Sequence, residues 1–289
     1  MIHSAEKEIG VTSMAEPGRA SDAVLITFPP SLDSELGRFL CGHYGIDCQE
    51  RRHTLIFSSL VTLWHGWTVI FPLLYSQAYK LAGPREMVDY LDIRCAPDLQ
   101  LLPKEENERS QVEKDWTLFN ESLALATAKF AYYHLLPHRD LMVQPLSQGT
   151  RAFEQKSVAV GYGFFAWLLR TLLKLSAQTA QESLDQIRTI FNAVEARISA
   201  GQKYLVGDRL TLSDLAFAVA AAPVVLPDTY GGPIPPLASM PAEVQAAVKE
   251  MRARPAGAFA LAIYAEQRSR FGAAASVKKP IQTSLHNSR

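Results

Sequence analysis

Ser31 and Ser34 form an S-x-x-S step between the apolar run AVLITF (23–28) and the segment LDSELGRFLCGHYG (32–45). In disulfide oxidoreductases that step is C-x-x-C. Hydroxyls in place of thiols remove redox chemistry but leave hydrogen-bond donors at a helix start, where free N–H groups favour an anion. Such a site suits an anion, which a hydroxyl and the first-turn amides can hold. The same residues also suit plain capping, with Ser31 as N-cap aided by Ser34 and Glu35. Both readings stand.

The elements that would position these serines alternate strand and helix. AVLITF is continuously apolar, as a strand covered on both faces is. Ser31 to Tyr44 fits a helix with Leu32, Leu36, Phe39, Leu40 and His43 along one side and Gly45 past its end. CQERRHTLIF (48–57) begins as a polar edge strand, and WTVIFPLL (67–74) is a strand candidate interrupted by Pro72. AGPREMVDYLD (82–92) reads as a helix started near Pro84. A small α/β domain over 22–102 follows. From Pro103 the pattern is helical throughout. Val112, Trp116, Phe119, Leu123, Ala126, Phe130 and Tyr133 recur at steps of four and three, one seam on a helix of about thirty residues, or roughly 45 Å. Residues 134–149 read as a connector, and helices are predicted at roughly 150–176, 181–200, 211–226, 241–253 and 255–269. Residues 1–21 read as a flexible arm. The basic stretch after Arg268 reads as a tail, with flexibility expected over 271–289 and anionic-surface contact as its other option.

Composition narrows the partners. The 289 residues are 48% apolar, with 29 basic and 29 acidic side chains, so no global field steers nucleic acid. Cys41, Cys48 and Cys95 are odd in number and scattered, which argues for a reducing compartment. The histidines offer no metal-ligand spacing. Residues 54–79 carry no formal charge. His65, Gly66 and Pro72 interrupt them, so a helix-loop-strand piece of a core is favoured over a membrane span.

The stretch YLVGDRLTLSDLAFA (204–218) joins L-V-G-D to a Thr211/Asp214 capping box, with Leu210 and Leu215 placed as a hydrophobic staple. It resembles the folding motif in the C-terminal domain of glutathione S-transferases. The resemblance covers roughly residues 22–270. It extends to the strand–turn–helix around Ser31, to Phe71-Pro72 as a cis-proline opening the third strand, to Tyr90-Leu91-Asp92, to the Tyr230-Gly231-Gly232 turn and to RARPAGAFALAIYAEQR (252–268). It implies a thioredoxin-like α/β N-terminal domain plus an all-α C-terminal domain at 103–270, glutathione as co-substrate, a cytoplasmic homodimer and no metal. Ser31 matches the serine of the serine-type transferases and Ser34 the second position of a C-x-x-C. The Phe71 backbone, before Pro72, would pair with the cysteinyl backbone of glutathione.

One departure stands out. Where the family expects an acidic-Ser pair for the γ-glutamyl end, this chain has Gly83-Pro84, which removes a donor and a charge. Two lost charge-assisted contacts could cost on the order of 3–6 kcal/mol. Arg85 or the remaining helix-start amides would substitute, with Glu86 near the ammonium. A cleft lined by Trp116, Phe119, Tyr133 and GYGFFAW (161–167) would take a bulky, apolar electrophile. The rivals are a binder that kept the fold without catalysis, an enzyme using the cleft without glutathione, and a membrane-associated protein, which rests only on residues 54–79.

Overall fold

The computed structural model describes residues 22–198 and 201–276. The proposed arm at 1–21 and residues 277–289 of the proposed tail lie outside the described residues. So do the last two positions of the helix expected at 181–200.

Strand β1 (Ala23–Thr27) is buried at every position, as its unbroken apolar run requires. It pairs in parallel with β2 (Cys48–Arg52), and helix α1 (Leu32–His43) makes the crossover. β2 alternates half-buried and exposed residues, the signature of an edge. β3 (Leu73–Tyr75) pairs antiparallel with the other side of β1, giving the order β2-β1-β3-β4. The final strand, β4 (Lys80–Ala82), runs antiparallel to β3. The sequence pattern missed it because three residues with one buried side chain carry too little alternation. The strand expected over 48–57 stops at Arg52. Residues Leu55–Gly66 form helix α2, and the strand expected over 67–74 begins only at Leu73. The Phe71-Pro72 peptide is cis, as the resemblance implies. Helix α3 (Gly83–Asp92) completes this α/β layer.

Asp92 ties the layer to the helical half of the chain. Its carboxylate accepts the Tyr44 hydroxyl at 2.8 Å and the backbone N–H groups of Leu101 (2.6 Å) and Leu102 (3.0 Å). The Leu101 carbonyl in turn accepts the Leu212 N–H at 3.1 Å, so the connecting segment is pinned at both ends.

Helix continues without a break from Glu106 to Leu135, as predicted, but in three pieces. Helix α4 (Glu106–Trp116) and helix α5 (Ala124–Leu135) flank a π-helical segment, Thr117–Leu123. The predicted seam nonetheless holds through it: Val112, Phe119, Leu123, Ala126 and Phe130 are all buried. Before the segment Asp115 is buried, held by Arg197 at 2.8 Å, while Trp116 is only half-buried. The supposed connector at 134–149 contains helix α6 (Arg139–Ser147), with Pro145 inside it. Helices α7 (Ala152–Leu172), α8 (Ala177–Ile198), α9 (Leu212–Val225), α10 (Ala242–Ala253) and α11 (Pro255–Ser276) complete the order. The backbone of α11 passes Arg268 and remains helical to Ser276 where a tail was expected.

α9 is apolar on nearly every side and is the core helix, packed against α1, α5, α10 and α11. Its start carries the predicted capping box. The Asp214 carboxylate accepts the N–H (2.7 Å) and hydroxyl (2.9 Å) of Thr211, and also the Leu205 N–H at 2.8 Å. Leu210 and Leu215 are both buried beside it.

Candidate functional site

β1 delivers the chain into the turn Phe28-Pro29-Pro30, and Ser31 becomes the N-cap of α1. Its N–H donates to the Phe28 carbonyl at 3.1 Å, and its hydroxyl oxygen accepts the Ser34 N–H at 3.2 Å. Ser31 is half-buried. Because Oγ acts there as an acceptor, its own hydrogen is left to donate outward. Ser34 is different. It is fully buried, and its oxygen accepts the Phe28 N–H at 3.1 Å, so it staples the turn from inside and cannot touch a ligand. The catalytic expectation for Ser34 is thereby reduced to support.

The cis-proline loop stands against this turn. Phe71 meets Phe28 edge to face at 6.0 Å, and a Cβ on Gly37 of α1 would lie 2.6 Å from the Pro72 ring. A side chain at position 37 would therefore push the loop off the helix. The Pro72 carbonyl accepts the Gly83 N–H at 2.8 Å, which draws the start of α3 to the same place. Gly83 has φ +81°, a left-handed conformation, and Pro84 behind it is buried.

Arg85 does not replace the missing pair. Its guanidinium is clamped by Glu113 on α4, with Nη2 at 2.9 Å from Oε1, and by Asp89 at 3.1 Å. The Glu113 bond, then Asp89, raise its pKa despite partial burial. Glu86 accepts the Ala82 N–H at 2.6 Å and so caps its own helix. Arg85 and Glu86 are thus both engaged within the chain at the start of α3.

Under the turn lies an ionic network that the motifs in the sequence did not bring forward. Buried Glu35 accepts from Arg38 at 2.9 Å and from the Gly231 N–H at 3.0 Å. Arg38 also reaches Glu50 at 2.8 Å, and Glu50 accepts from Thr27 (2.7 Å) and Arg52 (3.0 Å). Burial alone would raise the Glu50 carboxyl, but Arg38 and Arg52 outweigh it and hold it below the ordinary range. Arg52 donates to the Gly231 carbonyl at 2.9 Å. The loop Tyr230-Gly231-Gly232 is thereby seated on α1. The Tyr230 hydroxyl donates to the Pro30 carbonyl at 3.2 Å, and a Cβ on Gly232 would collide with the Pro29 oxygen. The signals were an i, i+3 acid–base pair in α1 and Glu50/Arg52 sharing one face of β2.

Beside the turn a cavity of about 100 Å³ opens, lined by Pro30, Leu32, Tyr132, Leu226, Tyr230 and Ile234 among others. Its walls are apolar, and burial pushes the Tyr132 phenol up to about 12, so it stays a neutral donor. The expected lining is corrected here. Phe119 is fully buried against Phe217 at 5.2 Å, in the core. Trp116 is absent from the lining, and Tyr133 faces two other hollows beside His134. GYGFFAW divides between core and surface: Tyr162 donates to the Leu136 carbonyl at 2.8 Å, whereas Phe164 and Trp167 are exposed. Tyr132, one position before the expected Tyr133, is the tyrosine of this helix that lines the cavity.

Asp33, in the first turn of α1, is raised by burial to about 6. Among the described residues no group of three His, Cys, Asp or Glu side chains is arranged to hold a metal ion.

Residues 161–253 match the family model "Glutathione S-transferase, C-terminal domain". Among solved structures, the beta-etherase LigF from Sphingobium sp. strain SYK-6 superposes with a TM-score of 0.54 at 15% identity, over 85% of this chain and 99% of that one. A glutathione S-transferase-I bound with lactoylglutathione superposes with 0.50 at 16% identity, over 83% and 99%. A glutathione S-transferase from Sinorhizobium meliloti 1021 gives 0.49 at 18%, over 84% and 93%. The first two superpositions show a shared fold. No curated protein sequence matches the chain.

Proposed function

We propose that this chain is a divergent member of the glutathione S-transferase superfamily, a reading supported by the match over residues 161–253 and by the shared fold, and that it performs glutathione-dependent transfer to, or lyase or isomerase chemistry on, a small apolar electrophile. One observation carries this reading. Ser31 sits half-buried at an open helix start, with its hydroxyl hydrogen left to donate, and the adjoining Pro30 and Leu32 wall an apolar cavity. Glutathione would supply the thiol. Ser31 and the first-turn amides of α1 would hold its sulfur as thiolate, and the Phe71 backbone before Pro72 would pair with its cysteinyl backbone. Tyr132 would offer a neutral O–H to the electrophile. The homodimer and the cytoplasmic location belong to this proposal as well.

The furnishing of Gly83-Pro84 favours a second reading, a binding protein that has kept the fold without catalysis. Calorimetric titration with glutathione, followed by a conjugation assay with aromatic electrophiles, separates the two. Weak but measurable binding with turnover that depends on Ser31 supports the enzyme. Binding without turnover supports the second reading, and neither binding nor turnover contradicts both.

A further inference from the structure

Helix α2 leaves much of its apolar surface outside. Its fully buried positions are Ser58 and Thr62, whose hydroxyls donate to the Leu55 (2.8 Å) and Ser59 (3.1 Å) carbonyls of their own helix, while Leu55 and Val61 are half-buried against the core. Four of its large apolar residues, Ile56, Leu60, Leu63 and Trp64, lie at i, i+4, i+7 and i+8 and face outward. A helix of a water-soluble surface does the opposite. The row continues into Trp67, Val69 and Ile70, with Trp64 and Trp67 82% and 86% exposed. Helix α7 repeats the arrangement with Phe153, Val160, Phe164 and Trp167 at i, i+7, i+11 and i+14, and Val160 is 90% exposed. The two helices spring from one junction. Phe57 and Phe153 meet edge to face at 5.2 Å, and the Glu154 carboxylate accepts the Thr54 N–H at 2.8 Å and pairs with His53 at 2.9 Å. Three of the chain's four tryptophans stand on these two rows. Nothing in the cavity chemistry requires them. Exposed apolar surface of this extent marks an interaction site.

Charge selects the partner. Residues 54–79 carry no Lys, Arg, Asp or Glu. Around α7 the exposed charges are Arg151, Lys156, Arg170 and Lys174, while its one acid, Glu154, is buried against His53. Asp140 on α6 is exposed but paired with Arg139 at 3.7 Å. Aromatic and aliphatic side chains with a cationic rim match an anionic bilayer surface, where tryptophan settles at the headgroup level and lysine or arginine meets phosphate. A symmetric second copy would set that cationic rim against itself.

We propose that the α2–α7 surface docks this protein on an anionic lipid bilayer, with Trp64, Trp67, Phe164 and Trp167 in the interfacial layer and Lys156 and Arg170 on the headgroups. The protein lies on the membrane and does not cross it: among the described residues no single helix is long and apolar enough to span. The interruptions at His65, Gly66 and Pro72 that weigh against a membrane partner bear on a span, not on surface docking.

The test uses the full chain with vesicles of phosphatidylcholine alone and of phosphatidylcholine mixed with phosphatidylglycerol, read by co-sedimentation and tryptophan emission. The native protein should partition onto the mixed vesicles with a blue shift, and more weakly onto the neutral ones. A variant carrying Trp64→Gln, Trp67→Asn, Phe164→Gln and Trp167→Gln should lose at least ~10-fold in partitioning. Asparagine is chosen at position 67 because φ there is +55°. Lys156→Glu with Arg170→Glu should cost ~10-fold on mixed vesicles and little on neutral ones. Native protein that ignores both vesicles, or a four-site variant that binds as well as native, overturns the proposal. If vesicles are ignored and light scattering shows a dimer that the four-site variant makes monomeric, the surface belongs to a second copy instead.

Discussion

The starts of α9 and α1 use the same cap chemistry for opposite ends. At α9, Thr211 and Asp214 are both buried, and Asp214 serves two backbone N–H groups and a hydroxyl. That end is closed. At α1 the work is split between a buried serine, Ser34, which fastens the turn, and a half-buried one, Ser31, which caps the helix and which we propose as the ligand contact. A cap becomes a site only when something else carries the fastening. The network Glu35–Arg38–Glu50–Arg52 and the Tyr230–Gly232 loop supply that support from below and above.

The contrast can be broken first at α9. Asp214→Ala orphans the buried Leu205 and Thr211 N–H groups and should destabilise the fold by about 2–3 kcal/mol. Turnover per folded molecule should be unchanged, as urea melts and assays at low temperature would show. At α1 the serines should exchange roles. Ser31→Ala should lower turnover about 10²-fold but cost only about 1 kcal/mol of stability. Ser34→Ala should cost about 1–3 kcal/mol, since the Phe28 N–H is left unpaired, with little effect on chemistry.

Pro84→Ser sharpens the comparison at the second helix start facing the site. It returns one donor while keeping Gly83, whose φ of +81° would strain any other residue. Calorimetry should then show glutathione binding about tenfold tighter. No change would show that α3 does not reach the ligand.

Asp33 gives the smallest effect, and it depends on pH. Its folded pKa, about 6, lies above the ordinary 3.8 because burial disfavours the charged form. The folded state therefore holds the proton more tightly, so this contribution is complete below about pH 4 and is lost as pH rises through 6. Asp33→Asn should abolish that decline and leave the protein more stable at neutral pH. Denaturant midpoints on either side of the window would check it.

Local patterns were readable from the sequence, and angular ones were not. The capping box at 211–214 and the Ser31 cap depend on residues within a few positions of each other, so residue type alone exposes them, whereas the cis peptide at Phe71-Pro72 was implied by the family resemblance. Tyr132 escaped because it lies beside the core seam Phe119, Leu123, Ala126 and Phe130, and which neighbour of a seam borders a cavity depends on the loop packed opposite it. In α2 every third or fourth position is apolar or a small hydroxyl, so periodicity could not say which face turned out. The binding set was partly legible: Gly83-Pro84 could be recognised as a departure, but not that Glu113, 28 residues further along the chain, would occupy Arg85.

The thiol pKa of bound glutathione, followed by ultraviolet thiolate absorbance across a pH titration, tests the Ser31 assignment most directly. In the native protein it should fall one to two units below about 8.5. It should return toward that value in Ser31→Ala and stay low in Ser34→Ala. An equally low value in native protein and Ser31→Ala, or the ordinary free-thiol value in all three, would contradict the account and leave Ser31 a helix cap alone.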